Sequence, residues 1–577
     1  MNNNALIVNI FPKKLKKYLK IVNKFSKHLL TNEFVSAIIP AVEVLYNRSM
    51  KMNRALRKIT VIILLLMVIS SFVSCNADNS STQSQIKIID VKLTDEQYAF
   101  VCKKGNTSLV EGMNTFMSEI KSNGTFDKLV SKYFEGEGDK IGYPVTTTDV
   151  TNTQDNFVVV TNCPFEPFEY MDTDGKIYGL DIEIAAAYAE KMGLELVIKN
   201  IGFDEIFVQV EAGYADIGMA GITASADRAE IYDFTMPYYE ASQKLIVSSQ
   251  NTDFDKCTTV DEVESILASL ENKAIGYQNA TTGSLYINGD KDWGFAGFAN
   301  INGKSYSNAQ VAISDLINGN LYAVILDEAP AKMIINTLNV KENSTWGAKF
   351  ENFFSTLSNE HYRNVFLLGL FNTVKVAIVG LIIGILIGTV IAIVKVAPKY
   401  KLIYKILDKI CTFYTLIFRG TPIVAQLLIA YYVIMPSLGI KMNALTVGMI
   451  VFGMNSGAYV SEIMRGGLNS VDKGQLEAGR ALGLTYSTTM LKIVVPQAVK
   501  NILPTLGNEF ISLIKETSVL SFIAVYDLYK ALLDVGMVKY DSMVPYIMMG
   551  LIYIVLVLII SAGIKLLERR FAKSDRN

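Results

Sequence analysis

Several separated groups of residues carry side chains suited to holding a small zwitterion. Ala220-Gly221-Ile222-Thr223 is followed five residues later by Arg228, then by Tyr232-Asp233-Phe234 and Pro237-Tyr-Tyr. A hydroxyl and a guanidinium at that spacing can hold one carboxylate, the guanidinium through a two-pronged fork. Ile275-Gly-Tyr-Gln278-Asn-Ala-Thr281-Thr282-Gly283 reads as a strand turning into a helix start, where backbone N–H groups and threonine hydroxyls suit an anion. Tyr322-Ala-Val-Ile-Leu-Asp327 reads as a strand ending in a carboxylate that can take an ammonium. Thr161-Asn162-Cys-Pro-Phe165-Glu-Pro-Phe168-Glu-Tyr170 adds an aromatic-rich loop. Singly, each has a plainer explanation: a salt-bridged arginine, a threonine helix cap, a core phenylalanine. Their joint order is what points to a ligand.

A second stretch, Glu477-Ala-Gly-Arg-Ala-Leu-Gly483-Leu through Ile493-Val-Val-Pro496, is polar and helix-prone between long apolar runs. It predicts a helix, a tight bend at Gly483 and a second helix reaching Pro496. Small residues at 478, 479, 481 and 483 would let another protein's surface approach the backbone.

Other chemistry is absent or rejected. His28 and His361 are the only histidines, and neither lies near a candidate acid, base or ligand cluster. No catalytic residue and no metal site is therefore expected. Gly297-Phe-Ala-Asn-Ile-Asn-Gly303-Lys304-Ser305 has five residues between its glycines where a phosphate-binding loop needs four, so no ATP site is expected on this chain. The five cysteines (75, 102, 163, 257 and 411) show no repeated spacing and imply no disulfide framework; pairing among 102, 163 and 257 stays open. A net charge of −1 gives no sign of a nucleic-acid partner.

The elements that must position these residues fall into two regions of the 577-residue chain. Half of all residues are hydrophobic, so part of the chain belongs in a membrane. From 86 to about 345 the sequence alternates strand candidates (Phe157–Thr161, Leu245–Ser248) with helical spacing (Asp181–Met192, Ala309–Ile317), which favours a mixed or parallel sheet. From 360 to 577 long apolar runs lie at about 366–394, 421–437, 443–464, 505–526 and 544–566, predicting about five membrane helices. Gly380, Gly384 and Gly388 mark a close-packing face on the first. Basic residues cluster after the first run, around 465–500 and after the last, which places the C-terminus and the 477–496 loop in the cytoplasm and the binding region outside.

Ahead of these regions, 1–49 is a basic extension that need not be translated if initiation is at Met50 or Met52. Residues 50–75 read as a secretory signal. Phe72-Val-Ser-Cys75 resembles a lipobox, which would make Cys75 a lipidated first residue; an uncleaved signal anchor is the alternative. Residues 76–85 form a Ser- and Asn-rich linker.

The first region resembles the amino-acid-specific type II substrate-binding proteins, a two-lobed α/β fold. The resemblance implies that Phe165 stacks over the ligand and that Thr223 and Arg228, with Ala220 and Gly221 beside them, grip the α-carboxylate. It further implies that Thr281 and Thr282 close on that group from the second lobe, and that Asp327 binds the α-amino group. Asn162, Phe203 and Gln278 match side-chain-pocket positions. Asn162 stands where the family often has Asp, and Ala280 where it often has Gly. One departure concerns order: Ile86 to Tyr98 and Asn123 to Phe134 resemble the family's C-terminal end, yet here they come first. This order implies a circular permutation, in which about 86–137 completes lobe one; a remnant of a deleted upstream copy is the alternative.

The second region resembles the polar amino-acid permeases of ABC importers, through Phe418-Arg419-Gly420-Thr421-Pro422, Ser456-Gly-Ala-Tyr459, Glu462-Ile-Met-Arg465 and Lys515-Glu-Thr517-Ser518. Glu477, Ala478, Gly479, Gly483 and Pro496 match that family's EAA loop, with Gly479 for the second alanine. The joint resemblance implies a bacterial plasma-membrane, multi-pass component of an ATP-driven amino-acid importer. Its expected partners are an amino-acid ligand, membrane lipid, a second permease copy and cytoplasmic ABC ATPase subunits that hold the ATP. A ligand-gated channel or a transmembrane sensor with the same kind of binding domain is the alternative. A channel would need a pore loop splitting the binding domain, and a sensor a signalling module after 566.

Overall fold

The computed structural model describes residues 85–147, 154–340, 346–397, 400–538 and 543–573. Cys75, the signal, the extension and residues 76–84 of the linker lie outside them.

The β-branched run at Phe157–Thr161 forms the strand Asn156–Thr161, buried along almost its whole length as a central parallel strand must be. It runs parallel to Glu195–Asn200 and Ile217–Gly218, and the sheet is completed by Val101–Lys103 and then Tyr232–Phe234 at the edge. Helices Leu180–Met192 and Thr107–Ser122 cover it, Phe116 and Phe157 both packing on Tyr188. The second lobe is another five-stranded sheet, in the order Ile86–Ile89, Gln243–Ser248, Ala323–Asp327, Ala274–Gln278 and Asn302–Tyr306. Two antiparallel crossing strands, Glu96–Tyr98 and Tyr239–Ala241, join the lobes.

The early segment is thus an integral part of this two-lobed fold, with one correction. Ile86–Ile89 pairs with Gln243–Ser248 in the second lobe, Glu96–Tyr98 lies in the crossing ribbon, and lobe one takes up the segment only from Val101–Lys103 onward. The reason is steric and topological: a paired hinge needs two crossing strands, and this segment supplies one of them. Lys304 and Ser305 lie within a parallel strand, Asn302–Tyr306, and not in a loop. Cys102, Cys163, Cys257 and Cys411 are all free thiols.

The remaining region is helical. Among the described residues three helices are long and apolar enough to cross a membrane, Glu360–Val396, Ala444–Asn469 and 543–566, while Leu402–Gly420 and Ile423–Ser437 form a pair bent by 108°. The expected single span at 505–526 is absent as such. Helix Val495–Glu516 carries Asn508, Glu509, Lys515 and Glu516 and gives way to a 3₁₀ stretch, Thr517–Ile523, closed by Ala524 at a φ of 60°. Polar residues at helical spacing leave this segment amphipathic, so it packs against the bundle instead of facing lipid on all sides.

The glycines of the first long helix are used as anticipated. A Cβ on Gly384 would lie 2.7 Å from Ser456 Oγ, and one on Gly388 2.7 Å from Val460 Cγ1, so the two helices touch backbone to backbone. Lobe one rests on the same bundle. Tyr214 stacks on Tyr431 with centroids 4.5 Å apart and planes 5° apart, and its hydroxyl donates to Tyr431 O at 3.1 Å. Gln209 Nε2 donates to Tyr432 Oη at 3.1 Å, and Tyr362 Oη to Asp172 O at 2.7 Å.

Candidate functional site

The residues singled out in the soluble region converge on one cleft between the lobes, with an empty volume of about 330 Å³ counting the space open to solvent. From lobe one, Asn162 and Phe165 come off the end of Asn156–Thr161, and Phe203 opens helix Phe203–Glu211. Ala220, Gly221 and Thr223 come after Ile217–Gly218, and Arg228 lies on helix Ala226–Ile231. From the second lobe, Gln278 ends one strand, Thr281 and Thr282 begin the next helix, and Asp327 ends another strand. Strand ends and helix starts meet here because each lobe's strands point their C-terminal ends at the gap. Gly221 is needed in its place: φ is 53°, and a Cβ would lie 2.5 Å from the Phe165 ring.

The charged groups are opposed and enclosed. Arg228 Nη1 donates to Thr223 O and Nη2 to Ala280 O, both at 2.8 Å, so one guanidinium ties lobe one to lobe two. Burial pulls its pKa below the usual value, against the pull of Asp227, Glu96 and Asp327. Its carbon sits 5.0 Å from the centre of the Phe207 ring. At the other pole Asp327 accepts from Gln243 Nε2 at 2.9 Å and from the Tyr98 hydroxyl. Burial, then the nearby Glu96 carboxylate, push the Asp327 carboxyl up to about 7.

Four residues of the site were not singled out from the sequence. Glu96 Oε2 accepts from Thr223 Oγ1 at 2.6 Å and from Thr282 Oγ1 at 2.8 Å, while Oε1 accepts from Thr94 Oγ1 and Gln243 Nε2. The threonines assigned to a ligand carboxylate are therefore engaged with a carboxylate of the chain itself. Thr281 also differs from expectation: its hydroxyl donates to Gln278 O at 2.8 Å and makes no helix cap. Tyr98 and Gln243 hold Asp327 as described. Glu169 lines the cleft with no exposure and with neither carboxyl oxygen hydrogen-bonded, and burial, with a smaller push from the nearby Asp181, raises its pKa well above the ordinary range. The available signal was Glu96 itself, a charge on the buried face of a short strand, in register with Tyr98 and opposite in face to Gln97. Ala280 takes a φ of 59°, which explains why glycine is the easier residue there.

The polar stretch of the second region forms helix Lys473–Ala481, a bend at Gly483 (φ 81°), and a helical run from Tyr486 that continues beyond Pro496, which sits in the first turn of Val495–Glu516. Proline is accommodated there directly after the π stretch Met490–Val494, where the helical hydrogen-bond pattern is already shifted. Glu477, Ala478, Gly483 and Pro496 are exposed or half-buried. Gly479 is buried instead, its α-carbon face closed by Thr489, so this small residue serves the chain's own packing. Leu482 and Leu491 stand 81% and 69% exposed beside it, apolar side chains on an otherwise polar surface. Lys395, near the C-terminal end of the 37-residue helix whose start carries Tyr362, pairs with Glu462 at 2.9 Å. Such a helix is about 55 Å long, so Glu462, and Asn469 beyond it, lie at the end remote from the Tyr362–Asp172 contact. Among the described residues no cluster of His, Cys, Asp and Glu could hold a metal ion.

Two families match the chain, and their matches overlap between 368 and 409. Residues 368–573 match the family described as binding-protein-dependent transport system inner membrane component. Residues 157–409 match bacterial extracellular solute-binding proteins, family 3; the segment before 157 lies outside that match. The arginine transport system permease protein ArtQ of Bacillus subtilis is 42% identical over 166 residues, 29% of this chain and 76% of that protein. The L-cystine transport system permease protein TcyB of the same species is 38% identical over 158 residues, 27% of this chain and 67% of that protein. A crystal structure of an amino acid ABC transporter with histidines shares 39% identity, covering 37% of this chain and 97% of that one, with a TM-score of 0.34.

Proposed function

The chain belongs to the binding-protein-dependent inner-membrane transport components and carries a family 3 solute-binding domain, and we propose that its cleft captures one amino acid and hands it to its own permease region. It is a fused binding and membrane component of an ABC amino-acid importer. The observation that carries the reading is that Arg228, on a lobe-one helix, and Asp327, at a strand end of the second lobe, line one interlobe cleft together with Phe165. A zwitterion has its charges in that arrangement, a guanidinium fork for the carboxylate and a carboxylate for the ammonium.

In this reading the chain performs no catalysis. ATP is hydrolysed on separate cytoplasmic ABC subunits, which dock on the 477–496 loop through Glu477 and the exposed Leu482 and Leu491. Two copies of the permease region form the pathway. Three features support the placement of the binding domain outside and the loop inside: the basic residues around the loop, its distance along the helices from the Tyr362–Asp172 contact, and the docking of lobe one through Tyr214 at the opposite end. Lipidation at Cys75 and a permuted domain order belong to the same proposal. Lobe closure about the 96–98 and 239–241 ribbon is the motion that traps the ligand.

The test is ATP-driven uptake by the full chain reconstituted with an ATPase partner in liposomes, alongside ligand titration. Glu477→Lys is expected to abolish uptake and leave the dissociation constant within twofold. Retained uptake would count against the coupling role, and failure of the wild type to bind any of the twenty amino acids would remove the ligand assignment.

A further inference from the structure

Asn162, Phe203 and Gln278 also line the cleft and form one polar wall of it. The hydrogen-bond directions there are fixed by one group that can only accept. Asn162 Nδ2 lies 2.6 Å from Ile201 O, so it is the nitrogen, and Oδ1 must be the atom facing Gln278. Gln278 Nε2 then donates to Asn162 Oδ1 at 3.0 Å. That leaves Gln278 Oε1, on a side chain 5% exposed, with no donor among the described residues. One further N–H remains on each amide nitrogen. This wall thus offers one acceptor and two donors, and no formal charge.

From this geometry, and resting on the amino-acid reading above, we infer that the cleft selects a neutral amino acid whose side chain ends in a carboxamide, glutamine being the probe. A carboxamide has one N–H₂ and one carbonyl oxygen, so it satisfies Gln278 Oε1 and takes a remaining N–H at once. A guanidinium or ammonium carries donors only and would meet the two amide N–H groups head-on. A carboxylate accepts only; it would abut Gln278 Oε1 with no cation to balance it.

The charge count agrees. The lining residues able to carry charge are Arg228, Asp327 and Glu169. The first two face the ligand's own carboxylate and ammonium. Glu96 stands behind Thr223 and Thr282, outside the lining. Glu169 has no donor for either oxygen and no exposure, and burial, then the nearby Asp181, push its carboxyl well above the usual range and so disfavour its charged form. Asp204, next to Phe203, is exposed and takes only a long 3.5 Å bond from Asn279. A cationic side chain would therefore be desolvated without a partner, the situation proteins avoid most strongly.

The experiment is calorimetric titration of the full-length protein in lipid nanodiscs with each of the twenty amino acids, the diagnostic four being glutamine, arginine, glutamate and leucine. Glutamine is expected to bind at least tenfold tighter than the other three. Asn162→Asp, which puts a carboxylate on that wall and removes the donor to Ile201 O, is expected to lower the glutamine-to-arginine affinity ratio at least tenfold. Gln278→Leu is expected to weaken glutamine at least tenfold. Tighter binding of arginine, glutamate or leucine than of glutamine overturns the inference while leaving an amino-acid cleft standing. Binding of none of the twenty amino acids overturns both readings together.

Discussion

Arg228 is the place where affinity and lobe closure are joined, and Arg228→Lys separates its charge from its shape. The guanidinium spends two N–H groups on backbone carbonyls in different lobes, Thr223 O and Ala280 O, each at 2.8 Å. A lysine ammonium keeps the charge but is a point donor on a flexible stem, and it can reach one of those carbonyls at a time while also meeting a ligand carboxylate. Hydrogen bonds to charged groups contribute about 1.5–3 kcal/mol each. Losing one interlobe bond from the closed state alone should weaken ligand binding by roughly ten- to 150-fold. Loss of the two-pronged grip on the ligand adds to this, so the figure is a lower bound. The assay is calorimetric titration of full-length wild type and variant in nanodiscs, with the thermal unfolding midpoint as a check on folding. A variant that folds like the wild type and binds within threefold of it would refute the bridging role, because the charge alone would then account for the site.

Three other expectations rest on the same geometry. Asp327 must be ionised to take an ammonium, and its carboxyl is pushed up to about 7 in the free cleft, so affinity is lost as pH falls through that value: Kd at pH 5.5 should be roughly thirtyfold weaker than at pH 8, and a flat titration series over that range would contradict the assignment. Ala280→Gly relieves an alanine held at φ 59°, a strain of about 1 kcal/mol, and should raise the unfolding midpoint of the binding domain; a lowered midpoint would show that the methyl group packs usefully. Tyr214→Ala removes a stacked ring and its bond to Tyr431 O, together about 2 kcal/mol, so uptake should fall at least tenfold with ligand affinity unchanged, whereas equal uptake would mean that this contact does not hold the delivery state.

The sequence by itself determined everything that depends on local pattern and residue chemistry. Phe157–Thr161 and Ala323–Asp327 are strands because their apolar and β-branched runs fit a buried sheet and little else. Leu180–Met192 and Ala309–Ile317 are helices, the first starting one residue before the expected Asp181 and the second with the expected limits, and glycines four apart on the first long helix meet Phe452, Ser456 and Val460 as such a stripe should. The cleft residues were legible because each sits at a strand end or helix start whose position in the chain fixes which lobe it joins. Only the tertiary structure decided the rest. Glu96 is some 130 residues from Thr223 and nearly 190 from Thr282, and nothing local announces that its carboxylate receives both hydroxyls. The seating of Ile86–Ile89 in the second lobe depends on the crossing ribbon, a long-range pairing. The 505–526 run is apolar enough to suggest a span, yet Glu509 turns toward the bundle and accepts from Ser456 at 2.9 Å, while Asn508 and Glu516 stay exposed. Hydropathy along the chain counts residues one window at a time, whereas a buried polar group is tolerated or not according to which partner the fold brings to it.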